Sequence, residues 1–346
     1  MKTGECKMKS LRLVLSKSYD PWFNLALEEL LYDTIPENTV ILYLWQNQNT
    51  VVIGKSQNAW KECRVSELEA DGGKLARRPS GGGAVFHDLG NLCYTFLASS
   101  GLYDLEKQLS VILAAVGEQG IEARFTGRND ITTCDGRKFS GNAFRFSSGK
   151  GLMHGTLLLD TDPEKIARYL QVSKAKMQAK GIDSVRARVI NLIERNPAIT
   201  PESMNASLKK AFRAQYGSWD AEEVFSDAEI SGRLKELYEK QSSWEWRLGE
   251  TPEFDMSFET RFSWGGFEVS LSAQKGVIQG IELYTDAMDA ELAGLLKDSL
   301  RGCRLSFDEI SDKIKASVAL LAAGGSMLAD PAQVSGDLCG WFAEIL

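Results

Sequence analysis

Two adjacent arginines that run into three glycines form the most chemically informative stretch of the sequence. Arg77 and Arg78 precede Gly81, Gly82 and Gly83. Arginine carries a planar, permanently charged fork of donors that suits phosphate or carboxylate groups. Glycine has no Cβ, so the backbone N–H groups of such a loop can approach an anion closely. The stretch therefore favours anion binding over a glycine-rich turn with solvated arginines, but it does not identify the anion.

A second group of polar residues surrounds a predicted hairpin. Asp135-Gly136 is a strong two-residue turn signal, and Lys138 begins the returning strand. A lysine beside small residues can direct a compact ammonium group at a phosphate or carboxylate. Taken alone, a lysine next to a turn is more often a solvated surface residue. Asp130 is either a magnesium ligand, since Mg2+ prefers one or two carboxylates together with phosphate oxygens, or a cap of the turn.

Other reactive side chains have a structural interpretation that is at least as good. His154 enters an apolar strand, where a lone histidine is more often a hydrogen-bonded core residue than a catalytic base. Cys134 has no histidine next to it in the sequence and is interpreted as an ordinary thiol. The basic stretch from Lys174 to Lys180 is either a lid over an anionic intermediate or a solvated face.

Length and charge narrow the class of protein. The chain has 346 residues, 43% of them hydrophobic and 25% charged, and is expected to be a soluble protein of two domains. Its net charge of -7 argues against a nucleic-acid-binding protein, which needs a basic surface. The six cysteines form no C-x-x-C pair, so no structural zinc site is expected. Without a signal peptide or an apolar stretch of membrane-spanning length, we expect a cytoplasmic protein with no membrane contact.

The elements that must position these residues are predicted from caps, turns and periodicity. Asp20-Pro21 starts a helix. A run of short strands with turns between them predicts hairpins in an antiparallel sheet rather than a βαβ crossover; these strands are 40–45, 50–54, 75–78, 84–87 and 91–97. Residues 251–254 break the pattern and are the predicted linker. The predicted fold class is α+β, with a large domain over residues 1–250 and a small C-terminal α+β domain over residues 256–346.

These motifs, in this order, resemble lipoate–protein ligase A. The resemblance covers nearly the whole chain and includes a small domain like that of the two-domain bacterial form. The segments that carry it are 18–26, 51–54, 77–92, 127–130, 138–143, 154–158, 184–188, 264–266 and 307–308.

The resemblance implies a fold and a reaction. The large domain would be the catalytic domain, with the fold of biotin ligases and class II aminoacyl-tRNA synthetases and a mixed, largely antiparallel sheet. Lipoate and ATP with Mg2+ would give lipoyl-adenylate and pyrophosphate, and the lipoyl group would then pass to a lysine of a lipoyl domain. The implied acceptors are acyltransferase subunits of 2-oxoacid dehydrogenases and the glycine-cleavage H protein. We expect the enzyme to be a monomer.

The resemblance also implies roles for individual residues. Lys138 would be the catalytic residue, bridging the lipoate carboxylate and the α-phosphate of ATP. The implied ATP-binding residues are Arg78, Gly83, Ala84, Val85, Phe86, Asn129, Asp130 and Lys138, with Asp130 also as the Mg2+ ligand. The implied lipoate-binding residues are Arg77, Ser80, Gly82, Lys138 and His154.

Two rival functions stay open on the sequence. An octanoyl or lipoyl transferase of the same fold works without ATP and needs a cysteine nucleophile, for which Cys134 is the candidate nearest to Lys138 in sequence. A non-catalytic lipoate-binding protein would keep the fold and lose turnover. Lys138 and the stretch from Arg77 to Gly83, the arginine–glycine loop, argue against it. The sequence does not decide the preference for lipoate or octanoate, the preference among acceptor domains, or the extent to which the small domain moves.

Overall fold

The computed structural model of the protein describes residues 10–99, 101–126, 129–147, 149–170, 189–248, 256–274, 277–304, 307–325 and 327–345. The described residues form two compact units. The first lies within Met1–Val52, Cys63–Ala76 and Val85–Arg247, and the second within Ile53–Glu62, Arg77–Ala84 and Leu248–Leu346. Most of the arginine–glycine loop therefore belongs to the second unit. The predicted catalytic and accessory domains at 1–250 and 256–346 stay a prediction, and the predicted linker lies outside the described residues.

Runs of consecutive strands are separated by helices along the described residues. The strands are β1 (Ser10–Ser16), β2 (Thr39–Trp45), β3 (Thr50–Ile53), β4 (Lys74–Arg77), β5 (Val85–His87), β6 (Asn91–Ser99), β7 (Ala123–Thr126), β8 (Asp130–Thr133), β9 (Lys138–Ser147), β10 (Lys150–Leu158), β11 (Ala221–Phe225), β12 (Met256–Phe262), β13 (Gly265–Gln274) and β14 (Val277–Thr285). The α-helices are α1 (Pro21–Thr34), α2 (Ala59–Glu62), α3 (Val65–Ala70), α4 (Leu105–Glu118), α5 (Pro163–Tyr169), α6 (Pro201–Tyr216), α7 (Gly232–Ser242), α8 (Trp244–Arg247), α9 (Ala290–Leu300), α10 (Phe307–Ala323) and α11 (Pro331–Ile345).

An eight-stranded sheet dominates the first unit, in the order β11-β1-β2-β6-β10-β9-β8-β7. The pairs β1–β11 and β1–β2 are parallel, and the pairs from β2 to β7 are antiparallel. The predicted α+β class with a mixed, largely antiparallel sheet is thus confirmed.

The predicted run of hairpins is wrong at the strands 40–45 and 50–54. Strand β1, which precedes that run, is joined to β2 by α1 and pairs with it in parallel, so the two form a βαβ unit. A helix of 14 residues supplies the chain length that a parallel connection requires. Strand β2 does not form a hairpin with β3 either, because β2 is buried along its whole length and takes a central place beside β6, while β3 pairs with β5 in a separate three-stranded sheet.

The predicted helix start at Asp20-Pro21 is confirmed by its cap. Asp20 accepts a hydrogen bond from the Trp22 N–H at 3.0 Å, and Pro21 occupies the first turn of α1. The same pairing of an acidic or hydroxyl cap with proline starts α5 at Asp162 and α6 at Thr200. Helix α11 and strand β11 were not predicted.

Each unit has its own hydrophobic core. In the first, the buried face of α1 packs with Tyr43 and Trp45 of β2. In the second, Trp264, Phe267 and Trp341 join the sheet β12-β13-β14 to its helices. Among the helices that the structure describes, none is long and apolar enough to cross a membrane.

Candidate active site

Lys138 lies at the start of β9, where a β-bulge interrupts the pairing with β8. Thr132 pairs with Lys138, whereas the preceding Ile131 pairs with Ser140, so Phe139 is an extra residue in the ladder. Strict alternation would place Lys138 and Ser140 on the same face of the strand. Because a bulge re-aims the side chains around it, Lys138 instead points to the opposite face.

On that face the ammonium group of Lys138 forms an ion pair with a single carboxylate. Lys138 Nζ lies 2.7 Å from Asp130 Oδ1, and each side chain keeps 37% of its surface exposed. The ammonium also lies over Gly141, where a Cβ would stand 3.0 Å from Nζ. An ion pair exposed to this degree contributes little to stability, so Lys138 can exchange Asp130 for an anionic ligand at small cost.

Asn129, the neighbour of Asp130, is bound tightly to β9. Its carbonyl accepts the backbone N–H of Asn142 at 2.8 Å and the side-chain Nδ2 of Asn142 at 3.1 Å. In return, Asn129 Nδ2 donates to the Asn142 carbonyl at 3.3 Å. The predicted site residues Asn129, Asp130 and Lys138 are therefore held together in one hairpin.

His154 lies on β10 and binds a buried glutamate of α1. Its Nδ1 is 2.8 Å and 3.0 Å from the two carboxylate oxygens of Glu28, which is fully buried. Thr95 donates to the same carboxylate at 2.6 Å, and Trp45 Nε1 donates to Thr95 at 3.0 Å. The imidazole is thus fixed in orientation by a chain of donors that ends on Glu28.

Glu28 was not predicted as part of the site. The available signal was its place on α1, where three of the four positions that lie three or four residues away are hydrophobic, Leu25, Leu31 and Tyr32. An acidic residue on the buried face of a helix needs a partner within the protein.

A cysteine and a second histidine lie close to this network. His87 Nδ1 is 3.1 Å from Asn47 Nδ2 and 3.6 Å from Cys93 Sγ, and all three side chains are buried. Burial, reinforced by the charge of Glu28, raises the pKa of Cys93 well above its usual value. Cys93 is consequently a protonated thiol, which is a poor nucleophile.

Cys134 occupies the exposed turn between β8 and β9. Its Sγ lies 3.4 Å from Glu122 Oε2, and this hydrogen bond is the main cause that raises the pKa of the thiol. A nucleophilic cysteine requires the opposite, a cationic neighbour that favours the thiolate.

The two arginines of the loop bind the carbonyls of their own unit. Arg77 Nη1 donates to the carbonyls of Gly54, Lys55 and Gln57 at 3.2, 3.0 and 2.7 Å. Burial of this guanidinium lowers its pKa to about 10.

Arg78 folds back over the glycines. It donates from Nη2 to the carbonyls of Gly81 at 2.7 Å and Gly83 at 2.8 Å. Gly82 has a φ of 90°, a conformation that favours glycine, and its N–H donates to the Ala287 carbonyl at 3.1 Å. Both arginines therefore shape the loop, and their predicted roles toward lipoate and ATP stay predictions.

The remaining predicted residues divide between the units. Ser80, Gly83 and Ala84 belong to the second unit, and the Ser80 carbonyl accepts the Lys55 N–H at 2.9 Å. Val85 and Phe86 belong to the first, where they pair with Val52 and Val51 in β3. Gly127, Arg128 and the basic residues 174–188 lie outside the described residues.

Asp130 is the one predicted metal ligand. Within the described ranges, no group of three or more histidine, cysteine, aspartate or glutamate side chains is arranged to hold a metal ion. A magnesium ion shared with phosphate oxygens needs only one or two protein carboxylates. Asp130 fits that requirement when Lys138 is bound to another anion, and its metal role stays a prediction.

Solved structures provide the comparison for this fold. P. falciparum LipL1 in complex with lipoate is 29% identical with a TM-score of 0.81, over 96% of this chain and 99% of that chain. A bipartite lipoate protein ligase with its E2 lipoyl domain from Thermoplasma acidophilum is 27% identical with a TM-score of 0.62, over 72% and 100% of the two chains. A lipoate-protein ligase A bound with ATP is 25% identical with a TM-score of 0.60, over 70% and 99%.

Family models match both parts of the sequence. Residues 20–213 match the lipoyl protein ligase A/B catalytic domain, and residues 251–324 match the bacterial lipoate protein ligase C-terminus. The first match covers more than half of the chain. The protein therefore belongs to the lipoyl protein ligase A/B family and carries the C-terminal domain of the bacterial lipoate protein ligases.

Proposed function

We propose that the protein is an ATP-dependent lipoate–protein ligase. The observation that carries this proposal is the ammonium group of Lys138, turned by the bulge onto the face of Gly141 and paired with one carboxylate at 2.7 Å. Support comes from similar proteins that were solved with lipoate and with ATP.

The chemistry explains why a lysine is needed there. A carboxylate is a poor electrophile, whereas a mixed anhydride with AMP carries a good leaving group that an amine can displace. As the lipoate carboxylate attacks the α-phosphate, negative charge concentrates between the two reactants. Lys138 would bind both, which aligns them and stabilises that charge.

Asp130 would hold Lys138 in place before the substrates bind and would release it when they arrive. Mg2+, when bound, would neutralise charge on the phosphates, and Asp130 is the side chain that would hold it. Such an exchange of partners would keep each charge compensated, because Lys138 would bind the reacting anions while Asp130 would hold the cation.

The other assignments rest on the resemblance. Arg78, Asn129 and the loop Gly83–Phe86 would bind ATP, while Arg77, Ser80, Gly82 and His154 would bind lipoate. His154 is suited to a pocket wall because Glu28 fixes its ring. In the second step, a lysine of an apo lipoyl domain would attack the adenylate and release AMP. We propose acyltransferase subunits of 2-oxoacid dehydrogenases and the glycine-cleavage H protein as acceptors, and a monomeric, cytoplasmic enzyme.

The thiols argue against the rival transferase. Such an enzyme needs a thiolate, but a carboxylate raises the pKa of Cys134 and burial raises that of Cys93. The ligase is therefore the better interpretation of the site.

Lipoate-dependent exchange of label between pyrophosphate and ATP tests the proposal directly. The wild-type protein should catalyse exchange, and Lys138→Ala should lower its rate at least about 100-fold, because loss of such a charge contact costs ~3 kcal/mol. Lys107→Ala, a change at an exposed lysine of α4, is the matched control and should leave the rate unchanged.

No exchange by the wild-type protein would contradict ligase activity and leave a non-catalytic binding protein. Exchange at the wild-type rate in Lys138→Ala would contradict the role of Lys138. If Cys134→Ala abolished acyl transfer while ATP had no effect, the transferase would be the correct alternative.

A further inference from the structure

Three residues on neighbouring strands β6, β10 and β9 lie side by side in the sheet, and the middle one is a glycine. Tyr94 of β6 pairs with Gly155 of β10, and Gly155 pairs with Asn142 of β9. The Tyr94 hydroxyl crosses β10 and donates to Asn142 Oδ1 at 2.6 Å. A Cβ on Gly155 would overlap both atoms of this hydrogen bond. Glycine at 155 thus makes a bond between two non-adjacent strands possible.

The Tyr94 hydroxyl contacts both neighbours of Gly141. It lies 2.6 Å from Asn142 Oδ1 and 3.2 Å from Ser140 Oγ. Gly141 is the residue over which Lys138 lies. The tyrosine therefore fixes the strand segment that supports the ammonium group.

This contact comes from the back of the sheet. The Tyr94 ring lies 6.2 Å from Phe96, which in turn packs against Phe212 of α6. Ser140 and Asn142 alternate with Gly141 and so point to the same side as Tyr94. Tyr94 thus reaches β9 from the face opposite to Lys138 and cannot touch a ligand of that lysine.

Asn142 passes the constraint on to Asp130. Its side chain accepts from Tyr94 and donates to the Asn129 carbonyl at 3.1 Å, and it is almost fully buried. Without the tyrosine hydroxyl, the side-chain oxygen Oδ1 of Asn142 would be buried without this donor. That favours rotation of the side-chain amide and loss of its hydrogen bond to the Asn129 carbonyl. Asn129 precedes the carboxylate that pairs with Lys138.

We propose that Tyr94 and Asn142 are positioning residues that act from the back of the sheet to hold Lys138 and Asp130 in the ion pair from which Lys138 is released to the substrates. The proposal rests on the proposed ligase function for its kinetic consequences. Burial raises the pKa of Tyr94, so its hydroxyl stays a donor throughout the working pH range.

The test compares Tyr94→Phe, Asn142→Ala and the double variant in single-turnover formation of lipoyl-adenylate. Tyr94→Phe loses one buried hydrogen bond and should be about tenfold slower, with KM for ATP and lipoate changed less than about twofold. Asn142→Ala loses that bond and the bond to Asn129, so it should be slowed at least as much. Because Asn142 is the closer of the two partners of the Tyr94 hydroxyl, most of the effect of Tyr94 should pass through Asn142, and the double variant should be about as slow as Asn142→Ala. Tyr32→Phe is the matched control: its buried hydroxyl also bonds to β9, but at Ser147, at the other end of the strand, and its rate should equal wild type.

A purely structural role for Tyr94 would lower the midpoint of thermal unfolding and leave the rate of the folded protein unchanged. That result, or additive losses in the double variant, would overturn the proposal. If Asn142→Ala does not fold, Asn142→Ser replaces it in the same cycle.

Crystal structures of the wild type and Tyr94→Phe give a readout that needs no activity. The proposal expects the Lys138–Asp130 separation to lengthen from 2.7 Å to beyond ion-pair distance, about 4 Å. An unchanged separation would overturn it. If the wild type shows no pyrophosphate exchange, the ligase function fails, and this comparison alone decides the positioning role.

Discussion

Substitution of Glu28 by glutamine should destabilise the first unit although it preserves the size of the side chain. Glu28 is fully buried and accepts from Thr95 Oγ1 at 2.6 Å and from His154 Nδ1 at 2.8 Å. A glutamine offers one oxygen in place of two and adds two N–H donors. Thr95 and His154 both contact Oε1, so in Glu28→Gln the new amide nitrogen would stand at the Oε2 position, where it would place buried N–H donors against the Nδ1 donor of His154 at 3.0 Å.

The magnitude follows from the number of donors left unsatisfied. One buried donor without an acceptor costs about 1–3 kcal/mol. At ~2–4 °C per kcal/mol for a unit of this size, the midpoint of thermal unfolding should fall by about 2–12 °C. Trp45 donates to Thr95 and not to Glu28, so the hydrogen bond between Trp45 and Thr95 should be retained.

Differential scanning fluorimetry measures this midpoint, and Glu37→Gln, an exposed substitution just beyond α1, is the control. The control should stay within about 0.5 kcal/mol of wild type. An unfolding midpoint for Glu28→Gln that equals wild type would refute the reasoning, since it would mean that the glutamine amide leaves no buried donor unsatisfied.

Two further changes test other parts of the structure. Gly81→Ala should destabilise the second unit by about 1–3 kcal/mol, because its Cβ would overlap the backbone carbonyls of Ala287 and Met288. Gly83→Ala is the control and should be neutral, since its Cβ would meet no atom within 4 Å. Equal midpoints of thermal unfolding for the two variants would contradict this packing. Glu122→Gln should lower the pKa of Cys134, since the carboxylate is what raises it, and should therefore speed alkylation of the peptide that contains Cys134 at pH 8, as measured by mass spectrometry. Slower alkylation would contradict that cause, and pyrophosphate exchange should not change.

The sequence indicated which residue types would form the candidate site but not how they are arranged. Lysine, aspartate and the hairpin turn were all visible as residue types, and β8 and β9 form the predicted hairpin. The direction of Lys138 was not predictable, because the bulge at Phe139 shifts the alternation by one residue. Nothing in the local sequence marks a bulge when no glycine or proline stands at the extra position.

Long-range pairing was also beyond the sequence. Strands β2 and β3 follow each other closely, yet they enter different sheets, because β2 is buried along its whole length between β1 and β6. Glu28 and His154 are 126 residues apart and meet only because α1 packs on the sheet that contains β10. Periodicity identifies such residues as buried but not as partners.

The arginine–glycine loop shows why residue type alone cannot assign an anion site. Arg77 and Arg78 have the charge and the donors that phosphate binding needs, but the carbonyls of their own unit accept from both. A buried guanidinium requires such acceptors, since an uncompensated charge in the interior is costly.

If the loop binds ATP, as we propose, the arginines contribute first by fixing the backbone of Gly81 and Gly83, and the N–H groups beyond them become the candidates for contact with phosphate. Arg78→Lys distinguishes these roles, because a lysine keeps the charge but loses the planar fork of donors. A loss of loop stability in the absence of ligand would indicate the structural role. A loss confined to ATP affinity would indicate direct binding.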